Sequence, residues 1–544
     1  MKGKKRILLT AMFLSLTLAA CGGTGNTETK TESSAASENA GTGSTENSSG
    51  SSKDTINLCL NQVVETLNPY TSSSIIDNQL FYQIYDTLFF FNDSGELEPR
   101  LAESWEVADD GRTYTIKLRE DAKFHNGEPV TAEDAAWSLD YEFKTGPYTS
   151  KRNTVGNFES AEVVDDYTLK IVSTDTSATF LNSVAQVGFI LEKDAYLEAV
   201  ENETIGNEWV PFGSGPYVVS SYNPDAEICL EAFEDYYRGK ARISKVNYQI
   251  LSDNNTITVA FEAGDLDLIV VPTARWAAIS ADERYNNYLS PTNHTSFFHI
   301  NIHNNDALSN KLVRQALSYA IDRESMCIAA YDGIAQPAYS MFNADTVFGG
   351  FTVEELEAAG APTYAYDPEK AKSLLQEAGY GEGLHIGSIL TINGSYWEKM
   401  ATVFQSNLAD VGVQVDIELA DSAACRTRRK DHDFQLATTG TNYTPEASYS
   451  MQYFRYLTDE QRAAGEYSEL DVQNEELDAV LQKAINEQES EKRRAYYLEF
   501  NCILQDEMYS IPTFHKAIPY AYQKDLVCDQ INTNYYYIYE FHWN

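Results

Sequence analysis

The most constraining feature of this chain is a stretch that has nothing to fold with. From Gly22 to Lys53 there is no Val, Ile, Leu, Met, Phe, Tyr or Trp, only Gly, Ser, Thr, Asn, Glu, Ala and Lys. Without apolar surface, nothing offsets the entropy of ordering such a segment. Residues 21–54 therefore read as a disordered tether, with a root-mean-square reach of roughly 30 Å. Ahead of it, Lys2, Lys4, Lys5 and Arg6 form a basic flank, and Ile7 to Ala20 is an apolar run too short to span a bilayer. The run closes on Leu18-Ala19-Ala20-Cys21, small residues before a cysteine. The pattern predicts a signal peptide over residues 1–20, cleaved ahead of a lipid-modified Cys21. The expected product is an extracytoplasmic protein held to a membrane by its N-terminal lipid.

The packed body begins near Lys53 and has room for two to four domains. A hydrophobic fraction of 43% suits a globular protein, and the net charge of −41 excludes nucleic acid as a partner, because phosphates would be repelled. Besides Cys21 there are Cys59, Cys229, Cys327, Cys425, Cys502 and Cys528, with no C-x-x-C pair to suggest zinc or redox chemistry. Free thiols are expected, although an oxidising compartment would permit one or two disulfides. Arg426, Arg428 and Arg429 could lower the pKa of Cys425, but a spectator thiol is the simpler reading.

Along the body, strands and helices mix. Ile56–Leu60, Tyr114–Arg119 and Tyr167–Val172 alternate as half-buried strands do. A helix is predicted over Asn78–Phe91, and another over Glu133–Tyr141, opened by Thr131 with Asp134 three residues on, close to a capping box. Pro211 to Tyr217, dense in turn residues, reads as a crossing between lobes, and no G-K-[ST] follows to make it a phosphate loop. Thr295 to His303 alternates strictly, with His299 and His303 on one face, where hydrogen-bonded histidines are expected before a metal site. Ser309–Met326, capped by Ser309, is predicted as one helix. Further helices are read at Asp367–Ala378 and Tyr396–Ala409, a strand at Gln414–Leu419, mostly helix from Leu470 to Asp506, and strand-like aromatic sequence from Ile511 to Asn544. No short repeat and no Pro/Gly-rich linker divides the body. This is α/β or α+β material in lobes threaded by several crossings.

No G-x-S-x-G, H-E-x-x-H, Walker or Rossmann fingerprint is present, so an enzyme is unsupported. The chain has 36 tyrosines and six tryptophans, side chains suited both to large cores and to a ligand cleft.

Six segments in order carry a resemblance. They are Thr66-Leu67-Asn68-Pro69-Tyr70; Tyr85 to Leu88 with Leu101-Ala102-Glu103-Ser104-Trp105; Leu118 to Asp134; Gly213-Ser214-Gly215-Pro216-Tyr217; Val313 to Arg323; and Asp367 to Ala371. Together they are similar to the large extracellular solute-binding proteins of ATP-driven importers, the family 5 peptide/nickel group typified by oligopeptide- and dipeptide-binding proteins. The resemblance implies a two-lobed periplasmic-binding-protein-like α/β fold, with an extra N-terminal subdomain and a ligand cleft between lobes. Its expected partition is residues 55–88 and 210–294 in lobe I, 89–209 as the extra subdomain, 295–508 as the far lobe, and 509–544 returning to lobe I. It implies hinge closure on a solute, delivery to a permease with its ATPase subunits, a monomer, and neither catalysis, cofactor nor metal.

Residue by residue, the resemblance implies ligand contacts from Ser73, Ser74 and Ile75, from Tyr148, from Tyr396 and Trp397 at a helix start, and from Asn442 and Tyr443. At the Asn442 position, peptide binders of the family carry an aspartate that pairs with the ligand's α-ammonium. Asparagine cannot give that charge-assisted bond, and an uncompensated buried cation is costly. Either Glu446 takes over, or the solute is anchored otherwise, as a differently held peptide, a modified peptide or an oligosaccharide. A surface hydrolase and a sensory lipoprotein are the rival readings from other classes.

Overall fold

The computed structural model describes residues 53–544 except 73, 92–96, 146–154, 156, 178–179, 207–208, 443–450, 464–467, 529–530 and 532–535. Cys21 and the tether as far as Ser52, Ser73, Tyr148, Tyr443 and Glu446 lie outside the described residues, while Lys53, read as tether, pairs with Asp267 at 2.5 Å.

An eleven-stranded mixed sheet dominates. Its order runs Val413–Ala420, Leu384–Ile392, Leu436–Asn442, Tyr285–Ile300, Ser510–Gln523, Leu268–Val270, Thr55–Leu60, Lys245–Ile250, Glu227–Ala232, Tyr217–Asn223, with Gln336–Pro337 paired beside Ser510–Gln523. Two strands are far longer than the rest, Tyr285–Ile300 with 16 residues and Ser510–Gln523 with 14. They pair antiparallel, and this pair joins the two halves of the sheet. Leu268–Val270 of one half pairs with Tyr520–Tyr522 of the second long strand, while Leu436–Asn442 of the other half pairs with His294–Ile300 of the first. Between Pro291 and Thr295 their register shifts. Such an interruption bends a strand locally, so the two halves meet at a kink in a two-strand bridge.

Each half has its own core. One gathers Ile56, Leu58, Phe81, Tyr217, Val246 and Tyr520; the other gathers Phe298, Leu317, Ile386, Phe404, Leu436 and Phe514. A separate sheet, ordered Ala102–Val107, Thr113–Leu118, Thr168–Ser173, Phe158–Asp165, covers a third core with helix Ala132–Asp140. That helix begins with the expected capping box between Thr131 and Asp134. The turn-rich Pro211–Tyr217 segment joins this third core to the large sheet. Cβ atoms at Gly213 and Gly215 would sit 2.2 and 2.7 Å from the Ile84 carbonyl oxygen, so only glycine admits the close approach.

Two expected helices are corrected. Asn78–Phe91 is helical only as part of Ile75–Ile84; Tyr85 turns extended, and Phe89–Phe91 pairs with Leu97–Pro99 instead. Ser309–Met326 is broken into Asp306–Ser309, Lys311–Tyr319 and Arg323–Tyr331, because Asn310 and Asp322 each cap a fresh start with their side chains. Asp322 is followed by Arg323, whose buried guanidinium donates to the carbonyls of Ala338, Pro512, Ser318 and Tyr364. Pro512 is on the second long strand, so Arg323 ties the bridge to its far half.

All six described cysteines are free. Burial raises the Cys425 thiol and outweighs Arg429 and Arg428, as a spectator thiol would have it. No described helix is long and apolar enough to cross a membrane. No described cluster of His, Cys, Asp and Glu suits a metal. His299 instead shares a hydrogen bond of 2.8 Å with Ser510, and His303 Nε2 meets the Asp471 carbonyl at 2.8 Å.

Candidate functional site

The site builds outward from the kinked bridge. Alternation along Ser510–Gln523 puts Phe514 and Lys516 on one face, opposite the break in the first long strand. Helix Arg323–Tyr331 ends there in a left-handed Asp332, delivering Tyr331. Helix Tyr396–Asp410 starts there after a tight turn at Gly394, whose N–H donates to Glu398 at 2.7 Å. That turn sets Tyr396 and Trp397 at the helix mouth, with ring centroids 4.2 Å apart. Tyr331 meets Tyr396 edge-on at 6.0 Å, and Phe514 lies 6.0 Å from Tyr331 and 6.2 Å from Tyr396.

Into this aromatic corner the Lys516 ammonium reaches, 4.1 Å from the Tyr396 ring centroid, 5.6 Å from Tyr331 and 5.7 Å from Trp397. No carboxylate of the described residues pairs with it, and burial lowers its pKa from 10.5 to about 8. The first long strand adds His294, whose Nδ1 meets Asn442 Oδ1 at 3.1 Å and whose Nε2 meets Ser296 Oγ at 3.3 Å. Burial first, then the charge of Lys516, push the His294 pKa down to about 3, so the ring is neutral. His515 is likewise driven by burial to about 4 and is held by Thr295 Oγ1 at 2.8 Å. Trp397 and His294 close on Gly440, where a Cβ would lie 2.6 Å from Trp397 Cη2 and 2.7 Å from His294 Nε2. Beside His294, Asn293 is 3% exposed and its side-chain oxygen has no hydrogen-bond partner.

Of the residues expected from sequence, Tyr396, Trp397 and Asn442 are thus brought together, through His294 and Gly440. Ser74 and Ile75 open a helix that packs on the core of the other half. Their segment is fixed by the buried Asp77 carboxylate, which accepts from Ser72 Oγ at 2.6 Å and from the Glu65 N–H at 3.2 Å. Sequence reading missed Tyr331, His294, Gly440 and Lys516. For Lys516 a signal existed, a lysine inside the otherwise uncharged run Ile511–Tyr522.

The sequence model of the bacterial extracellular solute-binding proteins, family 5 (middle region), matches residues 96–462. The chain belongs to that family. It is a solute-binding component of an ABC importer, not an enzyme, and works outside the cytoplasm with a permease. Heme-binding protein A of Haemophilus influenzae is 28% identical over 548 residues, covering 94% of each chain. Glutathione-binding protein GsiB of Escherichia coli O157:H7 is 26% identical over 470 residues, 85% of this chain and 89% of that one. Among solved structures, HbpA2 from Haemophilus parasuis superposes with a TM-score of 0.81 at 25% identity, over 90% of this chain and all of that one. The ABC transporter substrate-binding protein CtaP from Listeria monocytogenes gives 0.77 at 25% identity, with 90% and 99% covered. The family 5 fold is two-lobed, and the bridge of long strands carries the kinked corner described above.

Proposed function

We propose that this family 5 protein is a lipid-anchored receptor that captures a peptide-like solute by closing its lobes and presents it to the permease. The observation that carries this reading is the two-strand bridge: Tyr285–Ile300 and Ser510–Gln523 join the halves and kink at Pro291–Thr295, beside the aromatic corner. A solute touching both halves binds the closed form better and shifts the hinge equilibrium toward it. Lobe I then comprises residues 55–88, 210–294 and 509–544, the far lobe 295–508, and the extra subdomain 89–209. Ser73, Ser74, Ile75, Tyr148 and Tyr443 join Tyr396, Trp397 and Asn442 around the solute, in a monomer. Cys21 and the tether keep the receptor near its membrane partner, so a Cys21→Ala variant is expected in the soluble fraction.

Peptide-like chemistry draws support from relatives whose names specify glutathione. With Asn442 in place of an acid, hydrogen-bonded to a neutral His294, the described residues offer no counter-ion for an ammonium there. Isothermal titration with a free dipeptide and its N-acetyl form tests this. Near-equal affinities are expected, and a large loss on acetylation overturns the reading of Asn442. Mass spectrometry of solute released from natively purified protein identifies what is carried; a purely carbohydrate cargo overturns the peptide-like reading.

A further inference from the structure

We propose that Lys516 is the anion anchor of the cleft, and that the transported solute docks a carboxylate on it against the Tyr396–Trp397 face. The inference rests on the receptor reading above and names the charge its solute must carry.

The chain contains 81 acidic and 40 basic residues. In so acidic a protein, basic groups readily find carboxylates, and the described ones mostly do. Arg428, for example, holds both Glu418 and Asp433, and Lys311 holds both Asp506 and Glu507. Lys516 is the contrast: half-buried, at the lobe junction, and facing three aromatic rings with no acid of the described residues beside it. The rings orient and partly stabilise an ammonium by their quadrupoles, yet supply no hydrogen-bond acceptor of carboxylate strength. Among the described residues the three N–H donors meet no carboxylate, and an incoming one would satisfy them. The two histidines nearest it, His294 and His515, are uncharged and already hydrogen-bonded, so neither competes for an anion.

The backbone also fixes where the ammonium can go. The Lys516 carbonyl accepts from Thr292 Oγ1 at 2.8 Å, inside the register break of the opposite strand, and the Thr292 carbonyl accepts from Asn343 at 3.1 Å. Lys516 is thus clamped to the kink itself, and a solute that neutralises it is bonded to the bridge between lobes. One residue on from Thr292, the buried side-chain oxygen of Asn293 has no partner among the described residues and would accept from a peptide N–H that reached it. A carboxylate next to an amide N–H is the C-terminal pattern of a peptide. Among the described residues the same corner holds no carboxylate for an N-terminal ammonium, with Asn442 standing where peptide binders of the family carry an aspartate.

The test uses the mature protein, stripped of solute, with glutathione and a set of free-acid di- and tripeptides, each compared with its C-terminal amide by isothermal titration. A second set pairs succinate and benzoate with their amides. Free acids are expected to bind roughly 10- to 100-fold tighter than amides, the range for hydrogen bonds to charged groups. Lys516→Met should abolish that preference, and Lys516→Arg should retain most of it. Amides binding as well as acids, or Lys516→Met keeping the preference, overturns the anchor and leaves the receptor reading standing. Carboxylates binding through Lys516 while no peptide does overturns the peptide-like reading and leaves the anchor standing. Binding of uncharged sugars alone overturns both.

Discussion

In the solute-free protein, Lys516 carries a charge that its surroundings do not match, and replacing it should stabilise the fold. Burial takes its pKa from 10.5 to about 8. At about 1.4 kcal/mol per pKa unit, holding the protonated form costs on the order of 3 kcal/mol at neutral pH. The cation–π contacts return about 1 kcal/mol. Lys516→Met keeps an unbranched stem against Tyr396 and Trp397 and removes the charge, so a net gain of about 2 kcal/mol is expected. For a body of roughly 490 residues, that raises Tm by about 2 °C.

The pH dependence separates this cause from better packing. The folded pKa lies below the unfolded one, so between pH 8 and 10.5 the unfolded chain binds more protons, and wild-type stability rises with pH across that window. The methionine variant lacks this rise, so its advantage should be full below pH 8 and gone by about pH 10.5. The facing groups do not mask it. His294 and His515 are already neutral, and burial holds Tyr331 and Tyr396 above the ordinary tyrosine value. Scanning calorimetry of both proteins at pH 7 and pH 10 reads the gap. A variant less stable at pH 7, or a gap indifferent to pH, refutes the reasoning.

Three further outcomes are expected. Gly440→Ala would put a methyl 2.8 Å from the Thr295 carbonyl as well as against Trp397; it should cost about 1–3 kcal/mol and weaken solute binding, read by urea titration followed by Trp fluorescence. Arg323→Met leaves the buried carbonyls of Ala338, Pro512 and Tyr364 without their donor, and should lower the urea midpoint by an amount worth about 3 kcal/mol with an unchanged m-value. Affinity for a carboxylate probe should be flat up to about pH 7.5 and then fall about tenfold per pH unit as Lys516 loses its proton; a flat profile to pH 10 contradicts the anchor.

What the sequence made legible follows the range of the forces involved. Strands such as Thr55–Leu60 and Thr113–Leu118 show their period-2 burial directly, because each residue's face is set by its immediate neighbours. The Thr131 capping box and the Asp367-Pro368 helix start are equally local. Where reading failed, a competing local signal was outvoted or overlooked. Asn310 and Asp322 carried cap chemistry inside an apolar stripe that looked continuous, and the chain broke at the caps. Phe89–Phe91 looked like a helix end but had a strand partner at Leu97–Pro99.

The site lies beyond such reading because its parts arrive from five separate segments. Tyr331 ends one helix, Tyr396 and Trp397 begin another, His294 and Gly440 face each other across a strand pair, and Lys516 comes from the last long strand. Asn442 could be singled out from sequence, but its consequence could not. An asparagine there removes a negative charge, and only the fold shows that a positive one, without a carboxylate among the described residues, stands in the same corner. On the proposed reading, the two together reverse the electrostatics of the cleft, from a site that needs an ammonium to one that needs a carboxylate.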